Sequence, residues 1–168
     1  MSQKHPIISV TGSSGAGTST VKHTFDQIFR RENVTAVSIE GDAFHKFDRY
    51  EMKTELDKRA ASGDSTFSHF SLDANILTEL ENTFREYGKT GKARTRRYAH
   101  TEDEAKELGV EVGRFSDWRE TSEGSDLLFY EGLHGAVVNK DVNLAVHADL
   151  KIGVVPVINL EWAQKIHR

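Results

Sequence analysis

No cysteine occurs among the 168 residues, which removes disulfides, thiolate catalysis and cysteine-ligated zinc together. No apolar run approaches the length needed to cross a bilayer, and the opening segment Met1 to Val10 lacks the apolar core of a signal peptide. The expectation is a cytoplasmic protein. A positive charge excess is missing too: 22 Lys and Arg stand against 26 Asp and Glu, a formal charge of -4, so no general attraction to nucleic acid or to an anionic membrane is expected. Internal repeats and low-complexity tracts are absent. What remains is 37% hydrophobic and 29% charged residues, enough for one globular α/β domain with its own core.

Four continuous apolar stretches without a period of two read as buried parallel strands: Ile7 to Val10, Val34 to Ile39, Leu127 to Tyr130 and Leu150 to Val155. Between the first two, Val21, Phe25, Ile28 and Phe29 recur at helical spacing and predict a helix from about Thr20 to Arg31. Strand, glycine loop, helix and strand then make one right-handed βαβ unit. A second helix is expected from Ala74 to Tyr87, with Ile76, Leu77, Leu80, Phe84 and Tyr87 on one face, and a shorter one from Glu51 to Ala61. Residues 88–119 are polar and glycine-punctuated, so they read as long loops with one helix around Thr101 to Leu108. Loops of that length in a compact domain usually carry function. At the other end, a helix begins after the last strand just as the sequence stops, which reads as a fragment of a longer chain.

The first loop holds the clearest chemistry. Gly12, Ser13, Ser14, Gly15, Ala16, Gly17, Thr18, Ser19 and Thr20 lie between a strand and a helix. Glycines let backbone N–H groups approach a phosphate, and the helix N-terminus adds partial positive charge. The spacing Gly12-x4-Gly17-x-Ser19 fits a Walker A loop, except that Thr18 stands where lysine is expected. Ser19 is then the Mg²⁺-coordinating hydroxyl, and another element has to supply the missing cation. A nicotinamide oxidoreductase has a similar loop, and Glu40 ends the second strand where a ribose-binding acid sits. Its loop is one residue longer, however, and its Tyr-x-x-x-Lys pair is absent: no Lys follows Tyr50, Tyr87, Tyr98 or Tyr130 by four. Nucleotide binding is the better reading, against that rival and against a plain flexible connection.

Two acids follow strands that end in this region. Asp42 comes just after the second strand, where open α/β sheets place ligands, and it suits removal of a proton from an attacking hydroxyl. It also suits the N-cap of a helix. His45 and Arg49 close behind it fit an anionic group, Arg49 through its fork, or fit an ordinary surface. Glu131 ends an apolar strand in the Walker B manner and suits Mg²⁺; the alternative is a surface acid. His134 shapes the following turn or touches a sugar. Lys89, Lys92, Arg94, Arg96 and Arg97 form an acid-free basic run that reads as a solvated face before a nucleic-acid patch.

These segments resemble one family in particular. The glycine loop with Thr18, the run Glu40 to His45, Phe67 to Ser71, Tyr130 to Gly135 and Val154 to Trp162 all look like bacterial phosphoribulokinase, in order and across nearly the whole chain. Uridine kinase and pantothenate kinase are similar in the glycine loop but normally keep the Walker lysine. The resemblance implies a P-loop NTPase-like fold, a mainly parallel sheet flanked by helices. It implies a single kinase domain over residues 1–168, the N-terminal portion of a longer chain. It also implies transfer of the ATP γ-phosphoryl group to D-ribulose 5-phosphate, the step that makes the carbon-fixation substrate. By resemblance Asp42 is the general base, Ser19 and Glu131 hold Mg²⁺, and His45, Arg49, Tyr98, His100, His134 and Arg168 serve the sugar phosphate. Lys165 and Arg168 neutralise the transferring group, and Arg31 takes part in a response to NADH, the family's activator, within a homo-oligomer. Two other outcomes stay open: a nucleotide-binding piece without turnover, and a uridine-kinase-like small-molecule kinase. Family members continue well beyond residue 168, so an apolar sheet edge is expected to lie uncovered.

Overall fold

A computed structural model describes residues 4–166, apart from the side chains of residues 160, 161, 164 and 165. In chain order the elements are β1 (Ile7–Gly12), α1 (Thr18–Glu32), β2 (Ala36–Glu40), α2 (Arg49–Ala61), α3 (Leu77–Thr90), β3 (Arg94–Thr95), α4 (Glu102–Leu108), β4 (Arg119–Glu120), β5 (Leu127–Gly132), β6 (Leu150–Val154) and α5 (Ile158–Ile166). Four of the strands form a parallel sheet in the order β2-β5-β1-β6.

Alternation along each strand divides the core into two layers. Ile7, Val37, Ile39, Leu128 and Tyr130 face α3, whose Leu80, Phe84 and Tyr87 are completely buried. Ile8, Val10 and Phe129 face α1, where Phe25, Phe29 and Phe129 meet with ring centroids 5.1–5.7 Å apart. Ile28, expected on the same stripe, is instead 38% exposed, because the sheet covers only the width occupied by Val21, Phe25 and Phe29. A fully buried Phe such as Phe129 contributes about 1.5–3 kcal/mol, and with Phe29 and the half-buried Phe25 it fixes how α1 sits on the sheet.

The expected βαβ unit has one modification that matters for function. β1 and β2 are parallel and joined through α1, but β5 lies between them. Two interstrand spacings therefore separate the glycine loop from the turn after β2, about 10 Å. Register places Val10, Glu131 and Glu40 at one level across the three strands, so their carboxyl ends form a common rim.

Helix boundaries shift for local reasons. Asp48 caps α2: its Oδ1 accepts from the backbone N–H groups of Tyr50 (2.8 Å) and Glu51 (2.9 Å), and Glu51 accepts from the Asp48 N–H in return. That capping box starts the helix at Arg49, ahead of the expected Glu51. α3 starts three residues later than expected, because residues 72–74 form a 3₁₀ turn and Asn75 bridges His45 in extended geometry. In the middle segment α4 lies where expected, while the two-residue strands β3 and β4 pair antiparallel and are too short to show a period. β6 is the sheet's other outer strand, and Val155, Trp162 and Ile166 beyond it are largely exposed. No helix among the described residues is long and apolar enough to cross a membrane.

Candidate functional site

The loop after β1 is shaped by two different constraints. Gly17 caps α1 with φ +97°, a left-handed conformation that favours glycine. Gly12 is needed for space: a Cβ there would lie 2.7 Å from Thr18 Cγ2 and 2.9 Å from the Val154 carbonyl oxygen. Thr18, which replaces the Walker lysine, is thus a buried packing residue against β1 and β6. Ser19 and Thr20 face solvent at the start of α1.

A cleft of about 1100 Å³ opens over this loop, above the upper end of single-ligand pockets and suited to a nucleotide and a second substrate together. All expected nucleotide-loop residues line it except Ala16, which is buried beneath. Asp42, His45, Arg49, Tyr98, His100, Glu131 and His134 line it as well. The topology therefore brings together residues spread from position 12 to position 134.

Asp42 occupies the centre of the polar wall. It lies in the 3₁₀ turn Gly41–Phe44 that follows β2, and its carboxylate is about half exposed. His45 Nε2 is 3.2 Å from Oδ1 and His100 Nε2 is 3.2 Å from Oδ2. The hydrogen bond from His100, then that from His45, holds the Asp42 carboxyl well below the usual carboxylate range. The same bond raises the His100 imidazole above its ordinary value. Asp42 is not a helix cap; Asp48 has that role.

The partners of Asp42 are themselves anchored. His45 Nδ1 lies 2.9 Å from Asn75 Oδ1, and the Asn75 amide donates to the carbonyls of His69 and Ser71. The Tyr98 ring packs between His100 (4.7 Å between centroids) and Phe115 (5.2 Å). Glu104 accepts from the backbone N–H groups of His100 and Thr101, fixing the segment before α4. His134 is buried, its Nε2 is 3.1 Å from the Phe70 carbonyl, and burial lowers its proton affinity. It ties the turn after β5 to the Phe67–Ser71 segment, so turn-shaping is its structural role.

Glu131 lies half-buried at the end of β5, midway along the rim between the loop and Asp42. No cluster of three metal-ligating side chains exists among the described residues. Mg²⁺ typically takes one or two protein ligands and completes its shell with phosphate and water. Ser19 and Glu131 fit such a role.

Arg49 opens α2 with an exposed side chain that has no carboxylate partner among the described residues. Arg31 is remote from the cleft and pairs with its neighbour Glu32 at 2.8 Å. Lys165 belongs to α5, but its side chain, like all of Arg168, lies outside the described residues. The basic run is dispersed: Lys89 pairs with Glu86, Lys92 with Glu123 and Arg97 with Glu107, while Arg94 and Arg96 lie over Trp118. Lys22, whose Nζ is 3.4 Å from Glu40, and His69, Asn75 and Glu104 also line the cleft. Sequence reasoning missed all four. Of these, His69 lies in the Phe67 to Ser71 segment that carries the resemblance, and Glu104 has the capping-box spacing from Thr101.

The model of the Phosphoribulokinase / Uridine kinase family matches residues 7–168. The chain belongs to this family. Over its full length it is 73% identical to phosphoribulokinase 1 of Cereibacter sphaeroides and 53% identical to the chromosomal phosphoribulokinase of Cupriavidus necator, spanning 58% of the length of each. Among solved structures, the phosphoribulokinase from Rhodobacter spheroides is 70% identical with a TM-score of 0.87, over 98% of this chain and 56% of that one. A possible uridine kinase from Bacillus stearothermophilus shares the fold at 15% identity and TM-score 0.63, over 99% of this chain and 82% of that one. These kinase-family relatives accord with the parallel sheet flanked by helices, and they leave no place for the oxidoreductase alternative.

Proposed function

We propose that residues 1–168 act as a single kinase domain carrying the ATP and sugar sites of a phosphoribulokinase. The reaction transfers the ATP γ-phosphoryl group to the free primary hydroxyl of D-ribulose 5-phosphate, giving D-ribulose 1,5-bisphosphate for the Calvin cycle. The observation that carries this reading is the position of Asp42: its carboxylate faces the same cleft as the glycine loop, one strand beyond Glu131.

Gly12 to Thr20 cradle the triphosphate through backbone N–H groups and the α1 N-terminus. Ser19 and Glu131 would hold Mg²⁺, which when bound would neutralise charge on the transferring phosphate. His45, Arg49, Tyr98 and His100 receive the sugar phosphate. Its hydroxyl oxygen bonds to the γ-phosphorus as the bond to the ADP oxygen breaks, and the hydroxyl proton passes to Asp42. With both oxygens engaged by imidazoles, Asp42 is ionised throughout the physiological range. A substrate that drew one imidazole away would raise the proton affinity of the carboxylate as the hydroxyl reaches it. Phosphoryl transfer needs little more from a base, because its transition state is loose and catalysis is mainly positioning and charge neutralisation. Lys165 and Arg168 add the cation that Thr18 does not supply. The same reading takes Arg31 into the response to NADH as activator and the protein as a cytoplasmic homo-oligomer.

The test is an ATP-dependent assay offering ribulose 5-phosphate, uridine and pantothenate side by side, with Asp42→Asn alongside. Turnover of ribulose 5-phosphate is expected, with kcat lowered about 10²–10⁴-fold in the variant and ATP affinity unchanged. Preference for uridine would reassign the substrate. ATP binding with no acceptor turned over would make the chain a nucleotide-binding module.

A further inference from the structure

We propose that Arg96 is the positioning residue of the Asp42 turn. Its guanidinium donates from Nε to the Ala43 carbonyl (2.8 Å) and from Nη2 to the His45 carbonyl (2.6 Å). These two acceptors lie one and three residues beyond Asp42, within and just after the short turn that carries the carboxylate. The plane of the guanidinium is held from outside by aromatic faces, Phe115 at 3.6 Å and Trp118 at 4.8 Å. Trp118 in turn meets Phe44, the last residue of that turn, edge-on at 5.7 Å.

This is an unusual use of a half-buried cation. Among the described residues no carboxylate lies within ion-pair distance of Arg96; its hydrogen-bonding edge is spent on neutral carbonyls. Burying such a group without a counter-charge is unfavourable, and its hydrogen bonds offset only part of that cost. What it secures is a two-point hold. Arg96 and His100 belong to one short segment, Arg96 gripping the back of the turn and His100 gripping the Asp42 carboxylate in front. With the backbone fixed behind and Oδ2 fixed before, Asp42 keeps its direction into the cleft. A planar fork spans two carbonyls and stacks at the same time, whereas lysine offers a single point charge and no stacking surface.

The role rests on the kinase reading only where turnover is measured, so the test has two readouts. The first is an NMR pH titration of the His100 ring, which faces Asp42, with Glu104 and Glu40 as its further acidic neighbours. In the native protein the midpoint is expected above the ordinary 6.5, because the Asp42 hydrogen bond favours the charged ring. In Arg96→Lys it is expected to return toward that value while Arg97→Ala, which breaks an exposed pair with Glu107, leaves it in place. The second is kinetic: kcat for ribulose 5-phosphate falls about 10²-fold, as for a misplaced reacting group, with KM for ATP unchanged. If Arg96→Lys does not fold, Phe115→Leu removes the stacking face and keeps the fork, and a smaller change of the same sign is expected. A folded variant in which the His100 midpoint does not move overturns the proposal. A shifted midpoint in a protein that phosphorylates no ribulose 5-phosphate would leave Arg96 in this role and sink the kinase reading instead.

Discussion

His100 and Asp42 meet at 3.2 Å across the mouth of the cleft, on the carboxylate oxygen that His45 leaves free. The contact joins the long middle segment to the turn after β2, and each partner alters the other's protonation. Asp42 is held below its ordinary 3.8, and His100 is raised above its ordinary 6.5. The Asp42 contribution to stability is present above 3.8 and is lost as pH falls through its lowered folded value. The His100 contribution is complete below 6.5 and is lost as pH rises through its raised folded value. The pair is therefore intact from about pH 4 to about pH 6.5. Between about pH 5.5 and about pH 9, Tm should fall more in the native protein than in Asp42→Asn. Both side chains are nearly half exposed, so the difference should shrink in about 1 M salt. Parallel Tm curves in low salt would show that the contact carries no stability.

The pair of Mg²⁺ candidates gives a second expectation. Ser19 starts α1 and Glu131 ends β5, and both face the cleft. In Ser19→Ala or Glu131→Gln the Mg²⁺ concentration for half-maximal rate should rise about 10-fold or more, a typical loss when a metal site is weakened. The KM for ribulose 5-phosphate should stay near its native value. An unchanged Mg²⁺ requirement in both variants would place the metal elsewhere.

How much of this was readable in the residues depended on the range of the signal. The glycine loop, the four strands and α1 are local patterns, and they lie within two residues of where glycine spacing, apolar runs and helical spacing put them. The insertion of β5 between β1 and β2 leaves no local mark, since Leu127 to Gly132 has no residue that specifies its neighbours. Likewise Asn75 reads as part of a helix, because nothing in Ala74 to Leu80 reveals that its amide bonds to the His69 and Ser71 carbonyls. The run Lys89 to Arg97 reads as a solvated basic face, yet Arg96 points inward because Phe115 and Trp118, about twenty residues on, supply a surface for it. Position after β2 singled out Asp42 and His45, and resemblance to a family added His100; the contacts that Asp42 makes with the two imidazoles came from the structure alone.

Asp48 is a structural acid six residues beyond the proposed base Asp42. Its carboxylate is almost fully buried, caps α2 and pairs with Arg114, whose guanidinium lies over the Tyr50 ring at 4.7 Å. Asp48→Ala should lower stability by about 1–2 kcal/mol through loss of the cap, measured by urea denaturation. Asp48→Asn should recover part of that, since the amide oxygen still accepts from Tyr50 and Glu51. Equal losses in both variants would mean that the Arg114 pair, not the cap, matters at this position.

Gly12 tests whether the loop is built by contact or by flexibility. A methyl group there meets Thr18 Cγ2 at 2.7 Å and the Val154 carbonyl at 2.9 Å, and the second of these is backbone that cannot turn aside. Gly153, on the neighbouring strand, has nothing within 4 Å of an added Cβ. Gly12→Ala should therefore destabilise the fold by about 1–3 kcal/mol, the range for overpacking, and weaken ATP binding in calorimetry; Gly153→Ala should leave binding untouched. Adding Thr18→Ser removes the Cγ2 contact and leaves the carbonyl contact, so the double variant should recover only part of the loss. Native ATP affinity in Gly12→Ala would show that the loop yields at its base, and the close packing of Thr18 beneath it would then have no bearing on the phosphate site.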